Sequence, residues 1–360
     1  MKIKIKDANN FVKFFDTETG FYMRTGILDE NGKDTGVDPF MASFPELIDI
    51  GVMGHCVHGR TGLCAKSGVQ CYQNGLKTFQ PNMTLENFKR IVDEGKKNGL
   101  LQIALGGRGD VDQHENFEEI VKYARENNVV PNFTSSGLGF TPEIVEICKK
   151  YCGAVAISWY RSEYTLKAIN MLIDAKIKTN IHYVLGNNSI DEAIGRLKAN
   201  SFPKGINAVI FLLHKPVGMG KQDNVLNIND EKVKEFFELI DNGKFDFKIG
   251  FDSCTVPGLI NMTKNIIPDS IDSCEGGRFS MYITPDMKAI PCSFDNQEMR
   301  WAYDISNDTI QNAWNSKQFG EFRNHFKNSC LGCKNRLSCY GGCPIRRETV
   351  LCNRPTKDLK

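Results

Sequence analysis

From residue 47 to residue 251 the chain alternates between short apolar runs and longer amphipathic stretches. The apolar runs have strand length and read LIDIGV, LQIAL (101–105), VVPNF (129–133), AVAIS (154–158), KTNIHYVL (178–185), NAVIFLL (207–213) and FKIGF (247–251). Between them, stretches such as ENFEEIVKYARENN repeat apolar residues every three or four positions, as in a helix with one buried face. Six such strand–helix units predict an α/β fold, a partial (β/α)6 TIM-like barrel with a parallel sheet inside and helices outside.

The pattern differs at both ends of this region. Residues 1–46 contain two turn signals, TETG (17–20) and ENGKD (30–34), between strand-like runs such as FVKFF. This predicts an N-terminal hairpin region that is too short to be an independent peptide-binding domain. The alternation stops near residue 253, so we expect three parts: the hairpin region over 1–46, the barrel over 47–252 and a cysteine-rich domain over 253–360.

The charges nearly balance, with 45 Lys and Arg against 43 Asp and Glu, so no global field attracts nucleic acid or an anionic membrane. The stretch MKIKIKDANN lacks the apolar core of a secretory signal, and no apolar run is long enough to span a membrane. We therefore expect a cytoplasmic protein. In that compartment thirteen cysteines indicate metal or redox chemistry rather than a disulfide framework.

Five of the cysteines fall within CLGCKNRLSCYGGCPIRRETVLC (330–352): Cys330, Cys333, Cys339, Cys343 and Cys352. Structural cysteines behave as small hydrophobes and have no reason to repeat at such gaps, whereas thiolates that converge on a metal centre do. Disulfides, a zinc ribbon and iron–sulfur ligation compete as explanations, and the rest of the chain favours iron–sulfur ligation. The last 44 residues are also locally basic, with ten Lys and Arg against Glu321, Glu348 and Asp358, which fits a solvated face or a docking site for an acidic partner.

A second group of cysteines lies in the loop after the first barrel strand, and its members are Cys56, Cys64 and Cys71. In barrels of this kind the chemistry lies at the C-terminal ends of the strands. Three thiolates can hold three irons of a four-iron cluster and leave the fourth iron open for a ligand, whereas an electron carrier would take four thiolates. A zinc site and three unrelated loop cysteines are the alternatives. The GGRGD loop (106–110) after the second strand has glycines whose backbone amides can approach a small ligand.

Taken together, these residues resemble the radical S-adenosylmethionine (SAM) enzymes that carry a C-terminal SPASM domain. That family spaces its C-terminal cysteines as two single cysteines, then C-x2-C-x5-C-x3-C, then a last cysteine. All seven positions are filled here, by Cys274, Cys292, Cys330, Cys333, Cys339, Cys343 and Cys352.

The resemblance implies three 4Fe–4S clusters. The first would bind SAM on Cys56, Cys64 and Cys71. One auxiliary cluster would lie on Cys330, Cys333, Cys339 and Cys352, and the other on Cys274, Cys292 and Cys343. Its fourth ligand is either Cys254 or an open site for substrate.

The barrel half departs from the family's motifs. The gaps between its cysteines are seven and six residues instead of three and two, and the GGEP motif, whose acid contacts the SAM amino group, reads Gly106, Gly107, Arg108, Gly109. Arginine cannot accept a hydrogen bond, so we expect Asp110 to supply the acceptor and Arg108 to turn toward solvent or the SAM carboxylate. The resemblance also implies SAM contacts for the serines at two strand ends, Ser135, Ser136 and Ser158.

The resemblance implies a radical SAM oxidoreductase with SAM as cofactor and an electron donor such as flavodoxin or ferredoxin. Because SPASM domains usually accompany peptide substrates in this family, we expect maturation of a ribosomally made peptide by a cross-link such as a thioether. The alternatives are a protein residue, as in sulfatase maturation, a small molecule, or a non-catalytic iron–sulfur or zinc protein. Sulfatase-maturing relatives place a catalytic aspartate where Ser293 lies, so that activity loses support. The six histidines form no ligand pattern and are expected to be structural.

Overall fold

The computed structural model describes residues 1–66, 68–77, 79–267 and 270–353. Its N-terminal part is a three-stranded antiparallel sheet of β1 (Lys2–Lys6), β2 (Val12–Asp16) and β3 (Tyr22–Arg24). The second and third strands form the expected hairpin, and the alternating KIKIK run adds β1. Phe15 of this sheet packs on Leu101 and Val130, at the start of two barrel strands, so the small sheet covers the N-terminal end of the barrel.

Seven parallel strands form the central sheet, each next to the one that follows it in the chain. They are β4 (Leu47–Ile50), β5 (Gln102–Leu105), β6 (Val130–Ser135), β7 (Val155–Ser158), β8 (Thr179–Leu185), β9 (Ala208–Leu213) and β10 (Lys248–Phe251). All seven coincide with the apolar runs of the sequence. No pairing between β10 and β4 closes the sheet within the described residues. The prediction of a partial barrel is therefore confirmed.

Twelve α-helices surround or follow this sheet. They are α1 (Val57–Thr61), α2 (Leu63–Lys66), α3 (Leu85–Lys97), α4 (Phe117–Glu126), α5 (Pro142–Tyr151), α6 (Glu163–Asp174), α7 (Ile190–Ala199), α8 (Glu231–Asn242), α9 (Val256–Met262), α10 (Ile310–Trp314), α11 (Lys317–Asn328) and α12 (Arg336–Cys339), counted over the described residues. Several crossover helices begin at a side chain that accepts a backbone N–H, for example Thr84, Thr141 and Ser162. No helix in the described part of the chain is long and apolar enough to cross a membrane.

The strands direct apolar side chains toward the helices and polar ones into the barrel. Phe133 of β6 contacts Phe117 of α4, with 5.3 Å between their ring centres. Its neighbour Thr134 points the other way and lies 3.3 Å from Nδ1 of His182 on β8. This alternation is the period-two pattern of a strand, and it gives the barrel a polar interior.

The central sheet continues beyond the barrel. Strand β11 (Ser280–Ile283) pairs in parallel with β4, and β12 (Lys288–Ile290) and β13 (Tyr303–Asp304) follow as antiparallel strands. The open edge of β4 is thus covered by the cysteine-rich part of the chain. In this register Tyr282 lies opposite Asp49, so a residue from the C-terminal part points into the barrel.

Candidate iron–sulfur and SAM site

The first cysteine group lies in the loop after β4, as expected. Cys56 is the N-cap of α1, and its Sγ accepts a hydrogen bond from the amide of Gly59 at 3.4 Å. A Cβ added to Gly75 would lie 3.8 Å from the sulfurs of both Cys56 and Cys71. Burial, followed by the negative charge of Cys71, raises the pKa of the Cys64 thiol. The loop therefore brings the three thiols to one place although their gaps are long.

Tyr160, in the loop after β7, lies beside this group. Burial raises its pKa well above the ordinary value, and the charges of Asp110 and all three cysteines add to the effect. Its ring lies edge-on to the His58 imidazole, with 6.0 Å between the ring centres. The aromatic ring thus forms part of the wall around the thiols.

Asp110 lies at the centre of a buried hydrogen-bond network that links three loops. Its Oδ1 accepts the backbone amide of Ser136 at 2.7 Å, and its Oδ2 accepts the Ser136 hydroxyl at 2.6 Å. Nε2 of His58 lies 2.9 Å from Oδ2 and 2.6 Å from the same hydroxyl. Because a carboxylate has no proton to donate and the Ser136 hydroxyl donates to Asp110, Nε2 of the imidazole is the donor in its contact with Asp110.

The other nitrogen of this imidazole has no partner. Nδ1 of His58 is buried and makes no hydrogen bond with any described residue. With the ring proton on Nε2, Nδ1 is a free acceptor two residues from the first cysteine of the loop. A structural role was expected for His58, and only its position two residues after Cys56 indicates another one.

The glycine-rich loop after β5 lies against a residue of the C-terminal part. Gly107 has φ +94°, and a Cβ there would lie 2.3 Å from the hydroxyl oxygen of Tyr282. Arg108 does not turn to solvent: it is buried, its guanidinium donates to the carbonyl of Gly54 at 3.1 Å, and its Nε has no partner among the described residues. Of the two orientations expected for Arg108, the one toward solvent is wrong, and the one toward the SAM carboxylate stays a prediction.

The structure brings only some of the six SAM-binding candidates together. Asp110 and Ser136 are in contact, and Ser135 precedes Ser136 with its hydroxyl oxygen accepting the amide of Gly137 at 3.0 Å. Gly106 continues β5, and its amide donates to the carbonyl of Ile50 at 3.0 Å. Ser158 ends β7, the strand next to β6, and lies opposite His182 of β8.

A second group of thiols forms where the barrel meets the C-terminal part. The Cys254 thiol is hydrogen-bonded to Cys343, and this contact, followed by burial, raises its pKa well above the ordinary value. Burial and then the charge of Cys254 raise the pKa of Cys274 to about 12. The pKa of the Cys292 thiol is raised by burial and then by the charges of Cys274 and Cys254. Four cysteines from distant parts of the sequence therefore share one site, and Cys254 is among them.

The third group lies at the surface-facing end of the C-terminal part. Burial raises the pKa of Cys339, and the charges of Cys330, Cys333 and Cys352 act in the same direction. The amide of Asn335 donates to the sulfur of Cys333 at 3.3 Å. Arg346 donates its amide in the same way to Cys343 of the second group, also at 3.3 Å.

These donor sets fit iron–sulfur clusters. Each group consists of thiols, and amide donors point at a sulfur in each region, as is typical of cluster ligands. No three His, Cys, Asp or Glu side chains in the described residues meet around a single ion position. A four-iron cluster does not need such a meeting point, because each thiolate binds a different iron.

Comparisons with known proteins show which fold the chain has. Residues 274–335 match the SPASM family, an iron–sulfur cluster-binding domain. Streptococcus suis SuiB bound to S-adenosylmethionine superposes with a TM-score of 0.66 and 16% identity, over 87% of this chain and 78% of its own. Streptococcus suis SuiB bound to precursor peptide SuiA superposes with a TM-score of 0.70 and 13% identity, over 98% of this chain and 100% of its own. The chain has the fold of the radical SAM enzymes with a SPASM domain.

A third radical SAM–SPASM structure, anSMEcpe with bound AdoMet, gives a TM-score of 0.58 and 16% identity over 87% of this chain and 93% of its own. No curated protein matches the chain in sequence. Within the radical SAM–SPASM fold, the strand that joins the barrel to the SPASM part is β11, and Tyr282 on it reaches Gly107 of the barrel. Sequence reasoning missed Tyr282, since nothing in a four-residue apolar strand indicates which sheet it joins.

Proposed function

We propose that the protein is a radical SAM enzyme that modifies a ribosomally made peptide. The observation that supports this most is the grouping of the thiols: three around the loop after β4, and four in each of two groups in the SPASM part. A site with three thiols leaves one iron of a four-iron cluster open for SAM, whereas four thiols complete a cluster. The proposal is therefore three clusters, with Cys254 as the fourth ligand of the cluster on Cys274, Cys292 and Cys343.

Cys56, Cys64 and Cys71 would hold the first cluster, whose chemistry would be the one-electron reductive cleavage of SAM to methionine and a 5′-deoxyadenosyl radical that abstracts hydrogen from an unactivated carbon. The chain's own residues bind and orient SAM. Asp110 and the free Nδ1 of His58 are the buried acceptors available to the SAM ammonium, and Arg108 is the donor available to its carboxylate. The aromatic rings of Tyr160 and Tyr282 keep water away from the reacting atoms.

A peptide substrate is supported by the likeness to SuiB bound to its precursor peptide SuiA. A sulfatase-type reaction on a protein residue has less support. Ser293 replaces the expected aspartate, and the next carboxylate, Asp295, accepts the backbone amides of Arg300 and Trp301 at 3.2 and 3.0 Å. Its two oxygens thus hold a turn and are not directed at a substrate. A thioether or another cross-link is the product we propose.

We also propose that an external protein with an acidic surface donates electrons to this chain. Residues 327–347 contain five Lys and Arg and no Asp or Glu. Leu331 and Leu337 are each 71% exposed on this segment, beside the third thiol group. A basic surface with exposed apolar residues next to a cluster suits a flavodoxin or ferredoxin, because opposite charges steer the encounter.

The test is anaerobic reconstitution, followed by incubation with SAM, dithionite and candidate precursor peptides. We expect about twelve irons per chain, formation of 5′-deoxyadenosine, and a peptide whose mass falls by two hydrogens. The control is the Cys56→Ala/Cys64→Ala/Cys71→Ala variant, which should keep about eight irons and form no 5′-deoxyadenosine. Cleavage of SAM by this variant would contradict the assignment of the first site. If the wild type cleaves SAM but modifies no peptide, the proposed substrate is wrong and the proposed SAM chemistry is not.

A further inference from the structure

Lys215 is a fully buried lysine in the loop that follows β9. Its side chain has 0% exposure, and its Nζ donates to the carbonyl of Leu213 at 2.8 Å and to Oδ2 of Asp252 at 2.9 Å. The ammonium also lies 4.3 Å from the ring centre of Phe294. A cation placed over an aromatic face at this distance is attracted by the ring.

Two hydrogen bonds occupy two of the three hydrogens of the ammonium, and the Phe294 ring packs against it. Asp252 accepts two further hydrogen bonds, from the amide of Leu213 at 3.2 Å and the hydroxyl of Thr255 at 2.7 Å. A buried ion pair contributes little net stability, because removing two charges from water offsets their attraction. A structural role alone does not explain why this position carries a charge.

The partners of Lys215 belong to the segments that carry the second thiol group. Asp252 precedes Cys254 by two residues, and Phe294 follows Cys292 by two residues. The positive charge of Lys215 opposes the increase in pKa that burial and neighbouring thiols cause at Cys254 and Cys292, and the charges of Cys254 and Cys343 act on Lys215 in return. Lys215 thus interacts electrostatically with three of the four thiols, those of Cys254, Cys292 and Cys343.

The loop of Lys215 also contacts the first thiol group. The amide of Met219 donates to the carbonyl of Cys71 at 2.9 Å, and Tyr72 contacts Phe294 with 4.7 Å between the ring centres. The loop of Lys215 and its partner Phe294 therefore connect the two thiol sites.

We propose that Lys215 sets the reduction potential of the cluster held by Cys254, Cys274, Cys292 and Cys343, as a fixed positive charge that favours the reduced state. The inference rests on the ligand set proposed above. Reduction adds a negative charge to a cluster, and the net charge around it is one of the properties that set its potential. Asp252 offsets part of the effect, so removing the two charges should shift the potential in opposite directions.

The experiment is an anaerobic redox titration of the reconstituted protein, followed by electron paramagnetic resonance, without SAM or peptide. The Cys56→Ala/Cys64→Ala/Cys71→Ala background removes the first cluster and leaves two signals. We expect Lys215→Met to lower the potential of one of them, Lys215→Arg to keep it near the starting value, and Asp252→Asn to raise it. The cluster on Cys330, Cys333, Cys339 and Cys352 is the internal control and should not shift.

Two results would overturn the inference: an unchanged potential in Lys215→Met at normal iron content, or shifts of the same sign in Lys215→Met and Asp252→Asn. If Lys215→Met does not assemble the cluster, Lys215→Gln keeps a donor without the charge and must give the same lowered potential. The measurement is independent of the peptide. If the wild type modifies no peptide but the Lys215 and Asp252 variants show these shifts, the proposed function is contradicted and the role of Lys215 is not.

Discussion

Ser136 donates both its backbone amide and its hydroxyl to the carboxylate of Asp110, over 2.7 and 2.6 Å. The pair joins the glycine-rich loop after β5 to the turn after β6, and His58 adds the cysteine loop to the same network. All three residues are buried. Three loops that the proposed SAM site needs are therefore locked together before any ligand binds.

Asp110→Asn should weaken SAM binding by about ten- to a hundredfold, because a charge-assisted hydrogen bond contributes roughly 1.5–3 kcal/mol. The amide of the new side chain would keep one oxygen for Ser136, but the negative charge that attracts the SAM ammonium would be lost. Equilibrium dialysis of the reconstituted protein measures the affinity, and iron analysis checks that all clusters assemble. The exposed Glu115→Gln in the same region is the control. Equal affinity in wild type and Asp110→Asn would refute a contact between Asp110 and the ammonium.

The free Nδ1 of His58 leads to a second prediction. Glutamine can reproduce the Nε2 hydrogen bond to Asp110 but not the Nδ1 acceptor, so His58→Gln should lose SAM affinity by about tenfold, the value of one net hydrogen bond. Iron content should not change. His114→Gln is a matched control, because this buried histidine uses its Nε2 on the carbonyl of Met83, away from the thiols. If His58→Gln binds SAM like the wild type, Nδ1 faces no ligand.

Cys254→Ala should lower the iron content or change the spectrum of one auxiliary cluster. The reason is its hydrogen bond to Cys343 and its charge interactions with Cys274 and Cys292. Cys148→Ala is the control, since Cys148 is a buried residue of α5 that is hydrogen-bonded to Cys152. Iron analysis and Mössbauer spectra of both variants decide the matter. An unchanged cluster in Cys254→Ala would instead favour an open site for substrate.

Asp49 gives a prediction about pH. Burial in the barrel raises its pKa to about 7, above the value of an unfolded chain. A raised pKa in the folded state contributes stability that is complete below about pH 4 and is lost as the pH rises through 7. At pH 8 the Asp49→Asn variant should therefore have a free energy of unfolding roughly 1–2 kcal/mol higher than the wild type, and it should unfold at a higher urea concentration. Anaerobic urea titrations at pH 8 and at pH 5 measure this, and an equal difference at both values would argue against titration of Asp49.

Much of the barrel and of the cysteine chemistry follows from local sequence. Each parallel strand packs against helices on its outer face, so runs such as AVAIS and NAVIFLL are mostly apolar and mark β7 and β9 at their observed places. The spacing of Cys330, Cys333 and Cys339 is also local. Cysteines so close along the chain have little freedom to separate, and their charges act on one another in the fold.

Only the tertiary structure decided which distant residues meet. Strand β11 joins β4 because the barrel leaves that edge open, and this places Tyr282 against Gly107. Cys254 reaches Cys343, and Lys215 reaches Asp252 and Phe294, through the packing of the SPASM part on the barrel mouth. Periodicity and spacing describe neighbours along one element. Contacts between loops depend instead on which sheet edge is free and which way each strand end faces, and these are properties of the assembled barrel.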